Sequence, residues 1–255
     1  MPYVDNDGVR IYFETEGAGD PLLLHVGFFG TLDDWRLPKS SYVAGLRDTH
    51  RLILIDPRGQ GRSDKPHEPS AYTMANRTSD VIAVLDRLDV DRVAFWGYSL
   101  GGRVAFELAL RYPERLSSMI AGGANLYREV DPDNSGMVDL LSRGMASLVR
   151  EWEQDQGPLP PPTRERWLAN DPSALMAAWR SGDQPHSDVI DALATMTTPS
   201  LLYVGASDHD LAETVRPAST MPNATLATIA GANHQQAYQR HDLVLPHVMG
   251  YLNSP

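Results

Sequence analysis

Residues 91–110 read DRVAFWGYSLGGRVAFELAL. Val93–Trp96 is a short apolar run of the kind a buried strand needs. From Gly101 on, Val104, Ala105 and Leu108 recur at helical spacing, up to Pro113. Gly97, Ser99 and Gly101 stand between them in the pattern G-x-S-x-G. A strand that passes straight into a helix must bend sharply. Side chains at 97 and 101 would collide with neighbouring backbone, which explains the glycines. Such a bend lifts Ser99 above the sheet edge. It also leaves the Leu100 N–H at a helix N-terminus, free to donate to a developing oxyanion. The bland alternative is a glycine-rich turn without chemistry. The strand before and the helix after favour a nucleophile.

The same alternation extends along the chain. VRIYFET from Val9 follows a turn at Asp7-Gly8 and reads as an edge hairpin. PLLLHVG, RLILIDPRG, SSMIAGG, PSLLYVGAS and ATLATIAGA are further apolar runs, expected to be buried on both faces of a parallel sheet. Met74, Val81, Leu85 and Leu88 mark a helix over 73–88. The class is therefore α/β with a mostly parallel central sheet flanked by helices. One stretch breaks the rhythm. Residues 126–196 show no strand, and form an all-helical insertion between a core of 1–125 and 197–255. Within it SGMVDLLSRGMASLVREWEQ reads as one helix, followed by GPLPPPT and short helices around RERWLAN and PSALMAAWRSG.

A chain of 255 residues, 42% hydrophobic and 22% charged, suits one such domain with an insertion. The net charge of -11 disfavours a nucleic-acid partner, and a small-molecule substrate is expected instead. With no cysteine, a disulfide framework and a thiol nucleophile are excluded. The N-terminus lacks a signal-peptide pattern, and no apolar run nears the roughly 18 residues of a membrane span. A soluble, cytoplasmic protein of unspecified oligomeric state is expected.

A serine hydroxyl is a weak nucleophile and requires a base. His234, in IAGANHQQ after the last apolar run, is the best placed histidine. His241 and His247 fall in the C-terminal helix, His50, His67 and His186 in polar loops. His25 ends a strand near the site as a structural hydrogen-bonding residue. The base in turn needs an acid to hold its tautomer. Asp208 and Asp210, in VGASDHD, both follow a strand. No zinc-type spacing of histidines and acids occurs, so no metal or other cofactor is expected. DPRGQGRSD lacks the G-K-[ST] ending of a phosphate loop.

The chain resembles the α/β-hydrolase superfamily over essentially its whole length: at the Ser99 bend, at GFFGTLDDW, at DPRGQGRSD and at ALRYPERL. The resemblance implies a Ser-acid-His order, hence Ser99, Asp208 and His234, with Asp210 the rival acid. It makes the insertion a cap, and Asp56–Ser63 a structural turn beside the site. It also implies a second oxyanion donor beside Leu100. Alignment on Gly27, Gly30 and Trp35 selects Phe28, which is preferred because it preserves the Gly-to-Trp spacing, whereas alignment on His25 selects Gly27. GYSLGGR further resembles the GYSMGGR of a succinyl-hydroxycyclohexadiene-carboxylate synthase. There the final arginine binds substrate, which implies that role for Arg103. The alternative for Arg103 is an ion pair at the sheet edge. Trp152, Trp167 and Trp179 either pack the insertion or face a ligand, Trp152 and Trp179 being the substrate-binding candidates.

Three functions are compatible with these residues. The first is a serine hydrolase of esters or lactones. The second is a lyase or C–C bond hydrolase that uses the same residues on a carboxylate substrate. The third is a non-catalytic ligand-binding protein on the same fold.

Overall fold

In the computed structural model, residues 2–37, 42–126, 136–181 and 187–253 are described. His186, and residues 127–135 and 182–186 of the insertion, lie outside them. The chain opens with β1 (Tyr3–Asn6) and β2 (Val9–Glu16). Asp7 and Gly8 between them have φ of 52° and 80°, the two left-handed residues of a tight hairpin turn. β2 then pairs antiparallel with β4 (His50–Ile55). β3 (Asp20–His25), β5 (Val93–Tyr98), β6 (Leu116–Gly122), β7 (Ser200–Gly205) and β8 (Ala224–Ile229) extend the sheet. Its order is β1-β2-β4-β3-β5-β6-β7-β8, and every pair from β4 to β8 is parallel.

β5 and β7 are buried at all six positions, as their unbroken apolar runs require. Alternate side chains go to opposite faces. Leu23 and Phe95 join one core layer, while Leu22, Leu24 and Trp96 join the other. Each fully buried side chain of this size contributes about 1.5–3 kcal/mol. β8 departs from the expectation of burial on both faces. Only Ala227 and Ile229 are buried along it, because β8 is the edge strand and one of its faces meets solvent.

Helices cover both faces. α1 (Tyr42–Leu46) joins the layer of Trp96. α2 (Met74–Arg87) starts at Thr73, whose Oγ1 accepts from the Asn76 N–H at 3.2 Å. It packs Val81, Val84 and Leu85 beside Val104 and Leu108 of α3 (Leu100–Arg111). Among the described residues, the segment between β6 and β7 contains no strand. It holds α4 (Gly136–Ser142), α5 (Met145–Gln156), α6 (Pro161–Leu168), α7 (Pro172–Arg180) and α8 (Ser187–Ala192).

The single helix expected over 135–154 is instead two, α4 and α5. Gly144 has φ 86°, and its N–H returns to the Leu141 carbonyl at 3.0 Å, a glycine stop at a helix C-terminus. Leu141, Met145, Leu148, Val149, Trp167 and Leu175 form a small core of their own in this segment, closed from below by Phe29. The chain finishes with α9 (Leu211–Thr220), α10 (His234–Gln239) and α11 (His241–Leu252). No helix among the described residues is long and apolar enough to cross a membrane.

Candidate functional site

The C-terminal ends of β3, β5, β6 and β7 converge on one rim. Ser99 lies between β5 and α3 with φ 55° and ψ -114°. A non-glycine residue there carries strain of about 1–3 kcal/mol. Two backbone bonds hold it: its N–H donates to the Gly122 carbonyl at 2.7 Å, and its carbonyl accepts from the Arg103 N–H at 3.1 Å. A Cβ on Gly97 would enter the Gly101 carbonyl, and one on Gly101 would enter the His25 carbonyl. The glycines are therefore required by β5, α3 and β3 packing against one another. Ser99 is half-buried at the crest. Among the described residues its hydroxyl makes no hydrogen bond, to His234 or to any other side chain.

His234 is the first residue of α10. Asn233 caps that helix, its side chain accepting from the Gln236 N–H at 2.9 Å while Gln236 Oε1 accepts from the Asn233 N–H at 3.0 Å. The capped turn aims the imidazole at Asp208, and Nδ1 stands 2.9 Å from Asp208 Oδ2. Asp208 is buried, and its other oxygen accepts from the Asp210 N–H at 2.9 Å. Burial works to raise the Asp208 carboxyl. The hydrogen bond and charge of His234 and the Asp210 N–H outweigh it, and hold the group below the usual carboxylate range. Asp210 faces elsewhere, with Oδ1 accepting from Asn125 Nδ2 at 2.7 Å. Asp208, Asp210 and His234 also have ligand atoms within 4.8 Å of one another. Those atoms already serve each other and Asn125.

Ser99 and His234 border the same end of β6. Ser99 bonds Gly122, and a Cβ on the next residue, Gly123, would stand 3.0 Å from His234 Cε1. Tyr98 binds the two segments together. Its hydroxyl donates to the His234 carbonyl, and the ring centroids are 5.3 Å apart. Sequence reasoning passed over Tyr98, which stands in the motif as an unspecified residue.

On the other side of Ser99 lies the Gly27–Gly30 turn. A Cβ on Gly27 would be 3.1 Å from Ser99 Cβ. The Phe28 N–H has no protein partner among the described residues, whereas the Phe29 N–H donates to Gln60 Oε1 at 2.6 Å. The Leu100 N–H is a first-turn helix donor. Asp56 braces this region, accepting from the Leu32 N–H at 2.7 Å and the Arg62 N–H at 2.8 Å. Arg58 pairs with Asp80 at 2.6 Å, both nearly solvent-free. Under the bend, His25 Nδ1 bonds the Val26 carbonyl at 2.8 Å. Burial, opposed by that bond, pushes the His25 imidazole down to about 4.

The helical segment leans over this rim. The Phe28 ring lies 5.7 Å from Trp179 and 4.6 Å from Phe29. Of the three tryptophans in this segment Trp167 is the buried one, with Trp152 edge-on to it at 5.1 Å and Phe29 tilted against it at 4.8 Å. Trp152 is half-buried and donates through Nε1 to Gln235 Oε1 at 3.2 Å, next to His234. Arg103 is half-buried on the first turn of α3. The segment is tied to the core through Arg166 on Asp34 (2.6 Å), Asn170 on the Phe29 carbonyl (3.0 Å) and Asp171 on His67 (2.9 Å).

A family model described as alpha/beta hydrolase fold matches residues 20–181. The chain belongs to the alpha/beta hydrolase family. The match includes Ser99 and ends before Asp208 and His234. Among curated relatives of the chain is a Bacillus subtilis (strain 168) protein named as a 2-succinyl-6-hydroxy-2,4-cyclohexadiene-1-carboxylate synthase. It is 33% identical over 58% of this chain and 56% of its own. The chain spans about half the length of the first curated relatives it matches, 56% and 43%. Among solved structures, a hydrolase from Pseudomonas aeruginosa superposes with a TM-score of 0.86 at 23% identity, covering 99% of this chain and 98% of that one. A second, titled as Est816, an N-acyl homoserine lactone degrading enzyme, has a TM-score of 0.75 at 26% identity. It covers 98% of this chain and 99% of that one.

Proposed function

We propose that the protein is a serine hydrolase of carboxylic esters or lactones, with Ser99 as nucleophile, His234 as general base and Asp208 as its acid. The observation that carries this reading is the strained Ser99 crest beside a hydrogen-bonded His234–Asp208 pair. Nδ1 of His234 is engaged by Asp208, so Nε2 is the nitrogen left to take the Ser99 proton. Ser99 Oγ adds to the acyl carbon, and the carbonyl oxygen becomes an oxyanion held by the Phe28 and Leu100 N–H groups. The C–O bond to the leaving group breaks, and His234 returns the proton to the departing alkoxide. Water then attacks the acyl-enzyme, giving its proton to His234. The acyl–Oγ bond breaks, Ser99 regains the proton, and the acid leaves. The helical segment acts as a cap, with Phe28, Trp152 and Trp179 on its substrate side. The lactone-degrading enzyme above supports a lactone as readily as an open ester.

A second reading is a lyase or C–C bond hydrolase in which Arg103 binds a substrate carboxylate. It is favoured by the relative named as a synthase of a cyclohexadiene carboxylate, and by the place of Arg103 one turn from Ser99. One experiment separates the two. Short p-nitrophenyl esters, a lactone panel and a panel of carboxylate-bearing substrates are assayed with the wild type, Ser99→Ala and Arg103→Ala. The hydrolase reading expects Ser99→Ala to lose about 10⁴-fold or more in kcat and Arg103→Ala to keep ester turnover. Unchanged turnover by Ser99→Ala sinks it. Loss of turnover of acidic substrates alone in Arg103→Ala supports the second reading.

A further inference from the structure

Gln60 lies in the turn after β4, 33 residues from Gly27, and is 2% exposed. Its amide spans Phe28. Oε1 accepts from the Phe29 N–H at 2.6 Å, while Nε2 donates to the Gly27 carbonyl at 3.3 Å. The orientation of that amide is fixed by its partners. An N–H can face only the oxygen and a carbonyl only the nitrogen, so the flipped amide would lose both bonds. The Gly27 carbonyl also accepts from the Gly30 N–H at 3.3 Å, closing a turn whose third residue, Phe29, sits at φ 72°. An aromatic residue in that region is strained, and the Phe29 peptide is held there on both sides, by Gln60 and by Asn170.

The Gly27 carbonyl and the Phe28 N–H belong to one peptide unit. That unit is planar and trans, so its two polar ends point in opposite directions. A side chain that grips the carbonyl end therefore aims the N–H end away from itself. The same residue, Gly27, lies against Ser99. We propose that Gln60 is a positioning residue that aims the Phe28 N–H at the oxyanion formed on the Ser99 adduct. The inference rests on the reading of Phe28 as an oxyanion donor. Gln60 is buried and acts through the backbone it grips. It sets the direction of a donor that must be aligned before charge develops.

Two variants of the full-length protein test this. Gln60→Glu keeps an acceptor for Phe29 but loses the donor to Gly27, and sets two oxygens face to face. Gln60→Met removes both bonds at similar volume. Both are expected to lower kcat on p-nitrophenyl butyrate about 10-fold to 100-fold, with KM within about twofold of the wild type. Affinity for a trifluoromethyl ketone, whose adduct carries the oxyanion, falls by the same factor as kcat/KM. A change confined to KM overturns the proposal, and so does lost kcat with undiminished ketone affinity. Amide hydrogen exchange at Phe29 tests the grip without turnover. Protection is expected in the wild type and is lost in Gln60→Met, and equal exchange in both overturns it. Failure of the hydrolase reading looks different. Turnover then survives Ser99→Ala, while the exchange result at Phe29 stands on its own.

Discussion

Asp208 and Asp210 have the same charge and follow the same strand, yet the fold gives them different work. Asp208 bonds His234, and Asp210 bonds Asn125. Asp208→Asn puts an amide opposite Nδ1 and favours the wrong imidazole tautomer. On the proposed mechanism kcat falls about 10³-fold to 10⁴-fold, the scale found when a triad acid becomes an amide. Asp210→Asn keeps an oxygen for Asn125 and is expected to cost less than about tenfold in kcat. Steady-state kinetics of both variants check this, and the reverse ranking would exchange their roles. Residue type and position after a strand do not separate the two residues, and only the family resemblance ranks Asp208 first. Their difference arises from the turn after β7, where the Asp210 N–H bonds Asp208 Oδ1 and directs that carboxylate inward.

Strands were easier to read than the contacts between them. β3, β5 and β7 are legible because burial on both faces demands unbroken apolar runs such as LLLH and VAFW. β8 looks alike in one dimension, but its edge position exposes Leu226 to 39%. The Gly144 stop was masked because Leu141, Met145, Leu148 and Val149 carry the apolar spacing across it. Gln60 left no linear signal at all, since its partners are 33 and 31 residues away. His25, at the end of β3, supplies a prediction at this scale. Its folded value of about 4 lies below the ordinary 6.5, so the unfolded chain takes up this proton first as pH falls. Stability is therefore lost between about pH 6.5 and 4, by about 3 kcal/mol at most. Urea unfolding across that range should show a shallower pH dependence for His25→Gln than for the wild type. Identical slopes would show that burial at this strand end does not govern the acid response.

Arg166–Asp34 is one of the polar ties between the helical segment and the sheet, and it is buried on its Asp34 side. Burial pushes the Asp34 carboxyl up, and Arg166 with the Thr31 N–H recovers only part of that. The charge on Asp34 is thus a net liability that Arg166 limits. Arg166→Met should destabilise by about 2–4 kcal/mol, toward the low end for a buried pair because Arg166 retains some solvent contact. Asp34→Asn removes the liability, keeps an acceptor for the Thr31 N–H, and should cost less. Equilibrium urea denaturation ranks the two, and a costlier Asp34→Asn would contradict the account.

The helical segment leaves the sheet at β6 and returns at β7, and those strands are hydrogen-bonded neighbours, with Gly122 opposite Tyr203. Its two anchorages are therefore held side by side whatever the length of chain between them. For a flexible chain, closing a loop of twice the length costs only about 0.6 kcal/mol more. The roof can be lengthened, trimmed or exchanged while Ser99, Asp208 and His234 keep their footing on the rim beneath. On the proposed function, the part of the substrate pocket that Trp152 and Trp179 would form can change in this way, whereas the part at Phe28 and Arg103 is fixed to the sheet.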